Sequence, residues 1–97
     1  MSTVITRFWY DVYTSPPMSF HFTLERYSSD EVRIYIDRQP DYPAFLCTDG
    51  HKTHRYGLGS GRPYVCYDPP PDKVTDARSI AESWARHTAR YIQSGIW

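Results

Sequence analysis

Two stretches of alternating apolar and polar residues, 19–27 and 31–37, constrain the fold of this chain more than any other feature. Phe20, Phe22 and Leu24 alternate with polar side chains in the first stretch, and this two-residue period is typical of a strand with one buried face. The second stretch repeats the pattern with Val32, Ile34 and Ile36. Because a Ser-Ser-Asp turn separates the stretches, the sequence predicts a hairpin whose strands share an apolar face.

The segments around this hairpin predict two further strands and a long connection. Residues 4–13 are rich in β-branched and aromatic side chains and predict a strand. Residues 38–62 lose all periodicity and are interrupted by proline and glycine. A connection this long in a small domain is usually functional or contains short strands. Residues 63–67 predict a short strand before the triple proline.

The final segment has the three- and four-residue spacing of an amphipathic helix. Its stripe consists of Ala77, Ile80, Ala81, Trp84, Thr88, Tyr91 and Ile92. Thr75 suits the N-cap, Asp76 the positive end of the helix dipole, and Gly95 the C′ position. The sequence therefore predicts a single α+β domain over residues 1–97, an antiparallel β-meander of about four strands with one C-terminal helix packed on the sheet.

The charges of the chain balance, with 11 Lys and Arg against 11 Asp and Glu. This balance offers no overall electrostatic footprint for nucleic acid or an anionic membrane, so we expect neither as a partner. No apolar run reaches the roughly 18 residues that cross a bilayer, and the N-terminus lacks a secretory pattern, which predicts a cytoplasmic protein. Apolar residues on both faces of the 4–13 strand predict either a central position or pairing with a second copy as a homodimer.

Cys66 is the strongest candidate for chemistry, because it ends the short strand and follows a loop that contains His51 and His54. A thiol becomes a nucleophile when a polar or cationic neighbour stabilises its thiolate, and histidines in a folded loop can do this. The sequence therefore predicts Cys66 as a catalytic nucleophile with His54 or His51 as its partner. The alternative is a packed thiol, because free cysteine commonly behaves as a small buried hydrophobe.

The same residues allow a metal site as a second interpretation. Cys47, His51, His54 and Cys66 follow the pattern Cys-x3-His-x2-His-x11-Cys. Two thiolates and two imidazoles suit tetrahedral zinc, although the spacing differs from the usual paired ligand motifs. We therefore expect no cofactor in the leading interpretation and zinc in the alternative.

The loop at 42–62 also carries aromatic and basic side chains that are typical of protein contact surfaces. These are Tyr42, Phe45, Arg55 and Tyr56. They predict either a protein-binding surface, and with it a non-catalytic binding module, or aromatic lids over a small core. His21 and His87 are interpreted as solvated residues without a role.

Several short motifs follow one another between residues 19 and 97. After the hairpin they are Asp41-Tyr42-Pro43, the histidine-bearing loop, Tyr64-Val65-Cys66-Tyr67-Asp68-Pro69, the helix with Trp84, and the closing Tyr91-Ile92-Gln93-Ser94-Gly95-Ile96-Trp97. In this order they resemble the bacterial ubiquitin-conjugating-enzyme-like proteins. The chain contains no asparagine, so it differs from the eukaryotic enzymes of this type in lacking their His-Pro-Asn motif.

This resemblance implies a meander of antiparallel strands with a helix after the active-site loop. It implies that Cys66 accepts the C-terminus of a ubiquitin-like protein as a thioester from an activating enzyme, and that the transferase passes it to an amine. His54 or His51 would be the polar partner in the preceding loop. Without the asparagine, the oxyanion would be held by backbone N–H groups or a histidine. The resemblance also suggests a role in a bacterial protein-modification or antiviral-defence operon.

Overall fold

The computed structural model describes residues 3–97 and confirms the predicted α+β architecture. The strands are β1 (Thr3–Val12), β2 (Met18–Ser28), β3 (Glu31–Arg38), β4 (Arg55–Tyr56) and β5 (Tyr64–Val65). The helical segments are α1 (Gly50–Thr53), a 3₁₀ turn (Leu58–Ser60) and α2 (Val74–Ser94). Across residues 3–97 the five strands form one antiparallel sheet in the order β1-β2-β3-β5-β4, with α2 packed on one face. The predicted domain starts at Met1, and its first two residues lie outside the described range.

The described residues form one strand more than the sequence predicts, because the loop at 38–62 contains β4. This strand pairs with β5 along its whole two-residue length, and β5 pairs with β3. A strand of two residues is too short to show an alternating period. The small β4–β5 hairpin extends the sheet beyond β3, and Cys66 follows directly after it.

The predicted β2–β3 hairpin forms the centre of the sheet, and its apolar face is the core of the protein. Its buried residues are Phe20, Phe22, Leu24, Val32, Ile34 and Ile36. The helix α2 covers this face with buried alanines, which allow a close approach, and with Trp84. The indole of Trp84 packs edge-on against Phe20 and Phe22, with 6.0 Å between ring centroids in each case. Edge-to-face contacts of this kind add to the stabilisation from burial.

The two ends of α2 differ in how well the sequence predicts them. The N-cap is Lys73 and not Thr75, so that prediction is wrong. The Lys73 carbonyl already accepts a helical hydrogen bond from the Ala77 N–H at 3.0 Å, which places Thr75 inside the first turn. Asp76 lies in the first turn and Gly95 ends the helix with φ of 73°, both as predicted. No helix within residues 3–97 is long and apolar enough to cross a membrane.

The first strand, β1, lies at an edge of the sheet, so the central position predicted as one alternative is excluded. It pairs with β2 in antiparallel register, with an irregularity between Val4 and Thr6. Phe8 is buried against the core, whereas Trp9 on the opposite face is 67% exposed. The outer side of β1 has no strand neighbour among residues 3–97.

The face of the sheet opposite α2 is partly covered by the loop that leads to Cys66. Glu25 and Tyr35 are buried on this face. The guanidinium of Arg62 forms an ion pair with Glu25 and lies 3.6 Å from the centroid of the Tyr35 ring. Because Arg62 stands just before β5, these contacts fix the path of the chain toward Cys66.

Candidate functional site

The site is built on the connection between β3 and β4, which two side chains of α2 hold in place. The Trp84 indole N–H donates to the Thr53 carbonyl at 3.1 Å, and the Tyr91 hydroxyl donates to the Cys47 carbonyl at 2.9 Å. Thr53 is fully buried. These bonds fasten α1 against α2 and thereby position His54, the residue that follows α1.

The short helix α1 is in turn fixed by Asp49 at its N-cap. One carboxylate oxygen of Asp49 accepts a hydrogen bond from the Lys52 N–H at 2.8 Å, and the other accepts one from the Cys47 thiol at 3.0 Å. These bonds, the thiol bond foremost, hold the pKa of Asp49 below its usual value. His54 leaves the helix in the left-handed region, with φ of 54°, a conformation that costs a non-glycine residue about 1–2 kcal/mol. The surrounding contacts therefore keep His54 in an unfavourable backbone conformation.

Cys66 lies opposite His54 in the extension of the β4–β5 pairing. Its N–H donates to the His54 carbonyl at 2.8 Å, one step beyond the last paired residues of the two strands. In the same register Tyr56 stands opposite Tyr64, which makes Tyr56 a diagonal neighbour of Cys66 on one face of the hairpin. The side chain of Cys66 is half-buried and not bonded in a disulfide.

The phenol of Tyr56 is a diagonal neighbour of Cys66 across the β4–β5 pairing. Its interaction with the Cys66 side chain is the largest cause of a Tyr56 pKa above the usual value. A phenol O–H is a hydrogen-bond donor. Tyr56 therefore places a donor group in the neighbourhood of Cys66.

Three aromatic rings form a stack beside this sulfur. The indole of Trp97 stacks on the imidazoles of both His54 and His87, with centroid distances of 4.6 Å and 5.5 Å and interplanar angles of 21° and 14°. The Nδ1 atom of His87 lies 3.2 Å from the Trp97 carbonyl oxygen, to which it can donate. The stack thus joins the α1–β4 connection, the helix α2 and the segment after it.

The charge state of His54 follows from its position in the stack. His54 is exposed overall, but the desolvation of part of its ring lowers its pKa below the usual value, and nearby cationic side chains lower it further. These side chains are His51, His87 and Lys52. Since the usual value already lies near 6.5, His54 is neutral at neutral pH. It can accept a proton from a neighbour, but it provides no permanent positive charge for the sulfur.

Two clefts meet at Cys66. One, of about 350 Å³, lies along α2, and the other, of about 590 Å³, lies along α1 and β4. Cys66, His54 and Trp97 line both clefts. The smaller cleft adds Ser79, Ser83, Trp84 and His87, whereas the larger adds His51, Lys52, Arg55 and Tyr56. A substrate can therefore reach Cys66 through either cleft. The smaller cleft is lined by hydroxyl and aromatic groups, and the larger one by basic groups.

The predicted cysteine and histidine residues are only partly brought together. Cys66 and His54 are neighbours, and exposed His51 lines the larger cleft. Cys47 lines neither of the two clefts and donates its thiol hydrogen to Asp49. In the part of the chain that the structure describes, no group of three or more His, Cys, Asp or Glu residues is arranged to hold a metal ion. The zinc interpretation therefore gains no geometric support from residues 3–97.

The four predicted contact residues of the loop divide into two pairs. Phe45 is 86% exposed and Tyr56 is 47% exposed. Tyr42 packs against α2, with 6.0 Å between its ring centroid and that of a helix tyrosine. Arg55 donates hydrogen bonds of 2.8 Å to two oxygens of its own loop. Tyr42 and Arg55 therefore organise the loop, while Phe45 points to its surroundings.

Two residues of the site, His87 and Trp97, have no role in the sequence analysis. His87 is exposed, as expected, but it also stacks on Trp97 and lines the smaller cleft. Its spacing was an available signal, since it lies three residues after Trp84 and four before Tyr91 on one face of a helix. Trp97 ends the last motif of the resemblance, but no periodicity predicts that it lies at the site, because the chain returns there only through the turn at the end of α2.

The arrangement combines a half-buried thiol, a neighbouring phenol, a neutral imidazole and two adjoining clefts. The thiol follows β5, whereas the imidazole and the phenol lie just before β4 and within it, so the pairing of these two strands brings them together. Comparisons of the chain with protein-family models, with curated proteins and with solved structures found no match.

Proposed function

We propose that this protein accepts the C-terminus of a ubiquitin-like protein as a thioester on Cys66. The observation that carries the proposal is the position of half-buried Cys66 at the junction of the two clefts, opposite His54 and diagonal to Tyr56. A nucleophilic cysteine needs both a route for the substrate and a group that stabilises its thiolate. The motif order of the sequence, which resembles bacterial ubiquitin-conjugating-enzyme-like proteins, supports the same choice of residue.

In the proposed reaction the sulfur attacks the carbonyl carbon of an activated C-terminus, carried as a thioester by an activating enzyme. A new C–S bond forms, the bond to the activating enzyme's sulfur breaks, and that sulfur leaves as a thiolate. The thiol proton of Cys66 passes to His54, which is neutral and therefore able to act as a base. Tyr56 stabilises charge on the attacking sulfur through its O–H.

The two clefts support a second step, in which an amine displaces the sulfur. A protonated amine is repelled by the basic larger cleft, which contains Lys52 and Arg55. The smaller cleft offers Ser79, Ser83 and His87, which can accept hydrogen bonds. We therefore assign the larger cleft to the peptide tail and the smaller one to the amine.

A thiol-labelling experiment tests the reactivity of Cys66, with Cys47 as a control within the same chain. Cys47 is the more exposed thiol, but its hydrogen is donated to the Asp49 carboxylate. With iodoacetamide at neutral pH, we expect the Cys47→Ser variant to be labelled at Cys66 faster than the Cys66→Ser variant at Cys47. Adding Tyr56→Phe to Cys47→Ser should slow labelling by about tenfold, the factor that corresponds to a lost hydrogen bond to charge of about 1.4 kcal/mol. A Cys66 that reacts only after unfolding contradicts the proposal.

Thioester formation itself is tested with a peptide thioester that ends in Gly-Gly. We expect intact-mass spectrometry to show one added peptide on the native protein, removed by hydroxylamine and absent from Cys66→Ser. His54→Gln should slow the transfer, since it removes the base while leaving the sulfur and Tyr56 in place. Fast iodoacetamide labelling without any peptide transfer would contradict the transferase assignment.

A second candidate, a protein-binding module, is supported by Phe45, which is 86% exposed on the loop. An aromatic side chain this exposed is typical of an anchor in a protein contact. Under this alternative, capture of a partner protein would survive Cys66→Ser and fail with Phe45→Ala. Under the transferase proposal, capture of the partner protein would fail with Cys66→Ser and survive Phe45→Ala.

A further inference from the structure

The strand β1 leaves an open edge over residues 6–12, beyond the irregularity in its pairing near Val4. It has ten residues, lies at the end of the sheet, and has no strand on its outer side within residues 3–97. Natural proteins commonly protect such edges with proline, lysine or a covering segment. The sequence of β1 contains neither proline nor lysine. Its backbone groups are therefore suited to pairing with another strand.

The side chains of β1 indicate which strand would pair with its open edge. On the face opposite α2 the strand carries Arg7, Trp9 and Asp11 in alternation, while Phe8 and Tyr10 face the core. Arg7 and Asp11 are the strand's two charged residues, and neither forms an ion pair among residues 3–97. Four residues apart on a strand, they are separated by about 13 Å and cannot reach each other. Each is therefore available to pair with an opposite charge from outside the chain.

We propose that two copies of this protein pair through β1 in antiparallel register, with Trp9 opposite Trp9 at the two-fold axis. In this register Arg7 of each copy stands directly opposite Asp11 of the other, so the contact contains two equivalent ion pairs. Sliding the strands by two residues in either direction places Arg7 against an uncharged residue, and a shift that pairs Arg7 with itself creates repulsion. A single charge pattern thus selects one register for a self-complementary contact.

The same register also covers exposed apolar surface. Trp9, 67% exposed in the single chain, packs across the axis against its counterpart, and aromatic pairs of this kind stabilise neighbouring strands. Ile5 and Tyr13, 38% and 87% exposed, flank this contact, Ile5 at the irregularity near Val4 and Tyr13 just after the end of the strand. The two sheets join into one continuous sheet with both α2 helices on the same side. The clefts at Cys66 lie at the opposite end of each sheet and stay open.

Charge reversal tests the register. We expect sedimentation velocity over a concentration series to show a dimer for the natural sequence. Arg7→Asp and Asp11→Arg should each weaken association by about tenfold or more, because each turns both ion pairs into like-charge pairs. Arg38→Asp, an exposed arginine that forms no ion pair among residues 3–97, is the matched control and should leave association unchanged.

Mixing the two variants separates the proposed contact from misfolding. An equimolar mixture of Arg7→Asp and Asp11→Arg restores opposite charges at both pairs, so a heterodimer should form with the affinity of the natural dimer. The double variant Arg7→Asp/Asp11→Arg should associate with itself equally well. A natural chain that stays monomeric throughout, single variants that associate normally, or a mixture that fails to recover would each overturn the proposal. None of these results depends on the reactivity of Cys66.

Discussion

The two ends of the sheet are built in different ways. At one end β1, β2 and β3 have 10, 11 and 8 residues, and their ladders and apolar faces continue along their length. At the other end β4 and β5 have two residues each, and side-chain contacts from α2 and Arg62 hold the surrounding loop. The long strands carry most of the sheet's buried core, whereas the site depends on a few separate bonds. Substitutions at the two ends should therefore affect stability and site geometry to different extents.

The largest expected effect is at the scaffold end, with Phe22→Ala. Phe22 is fully buried and packs against Phe8 and Trp84, with centroid distances of 5.4 Å and 6.0 Å. We expect its truncation to lower the free energy of unfolding by about 3–5 kcal/mol, from lost burial and the remaining cavity. Urea denaturation followed by circular dichroism measures this loss. Phe45→Ala, the matched change at the exposed loop, should stay within about 0.5 kcal/mol, and equal losses would contradict the division into scaffold and site.

A smaller effect is expected where the loop crosses the scaffold, with Arg62→Ala. This change removes the guanidinium beside Glu25, whose side chain is only 5% exposed. Disrupting a fully buried pair costs about 3–5 kcal/mol, and because the Arg62 side chain is 51% exposed, we expect a loss of about 1–3 kcal/mol. Thermal and urea unfolding measure it.

The second half of this test concerns the charge of Glu25. Arg62→Ala/Glu25→Gln should recover much of the lost stability, because the neutral amide needs no positive neighbour. Both variants should also change the rate at which Cys66 is labelled, since Arg62 fixes the chain just before β5. A variant that loses stability without any change at Cys66 would show that this ion pair belongs to the scaffold alone.

The scaffold was predictable from the sequence and much of the site was not, for one physical reason. The alternation in residues 19–37 and the apolar stripe of α2 both result from burial of one face against a single apolar layer. A local sequence pattern is enough to predict burial of this kind. A loop histidine near Cys66 was also predicted from their order along the chain, but the β4–β5 pairing that brings His54 opposite Cys66 was not. The contacts of Tyr56, His87 and Trp97 instead depend on where distant segments meet. Each is fixed by one hydrogen bond or one ring contact, and no sequence period encodes such a bond.

The smallest expected effect on stability concerns a single hydrogen bond. It is measured by comparing two hydroxyl groups on α2, those of Tyr91 and Thr88. The Tyr91 hydroxyl donates to the Cys47 carbonyl at 2.9 Å and ties the loop to the helix. The buried Thr88 hydroxyl has no hydrogen-bond partner among residues 3–97. Tyr91→Phe should therefore cost about 1 kcal/mol, whereas Thr88→Val, which keeps the branched shape, should be neutral or slightly stabilising.

Hydrogen exchange at the site distinguishes these two substitutions most clearly. Tyr91→Phe should also speed hydrogen exchange in α1, because the loop loses one of its bonds to α2, and Thr88→Val should not. Urea unfolding and amide exchange measured on the same samples check both expectations. If the two variants lost equal stability, the bond from Tyr91 would contribute nothing specific. In that case the loop before Cys66 would be held by packing, and the site would be as much a part of the scaffold as β2 and β3 are.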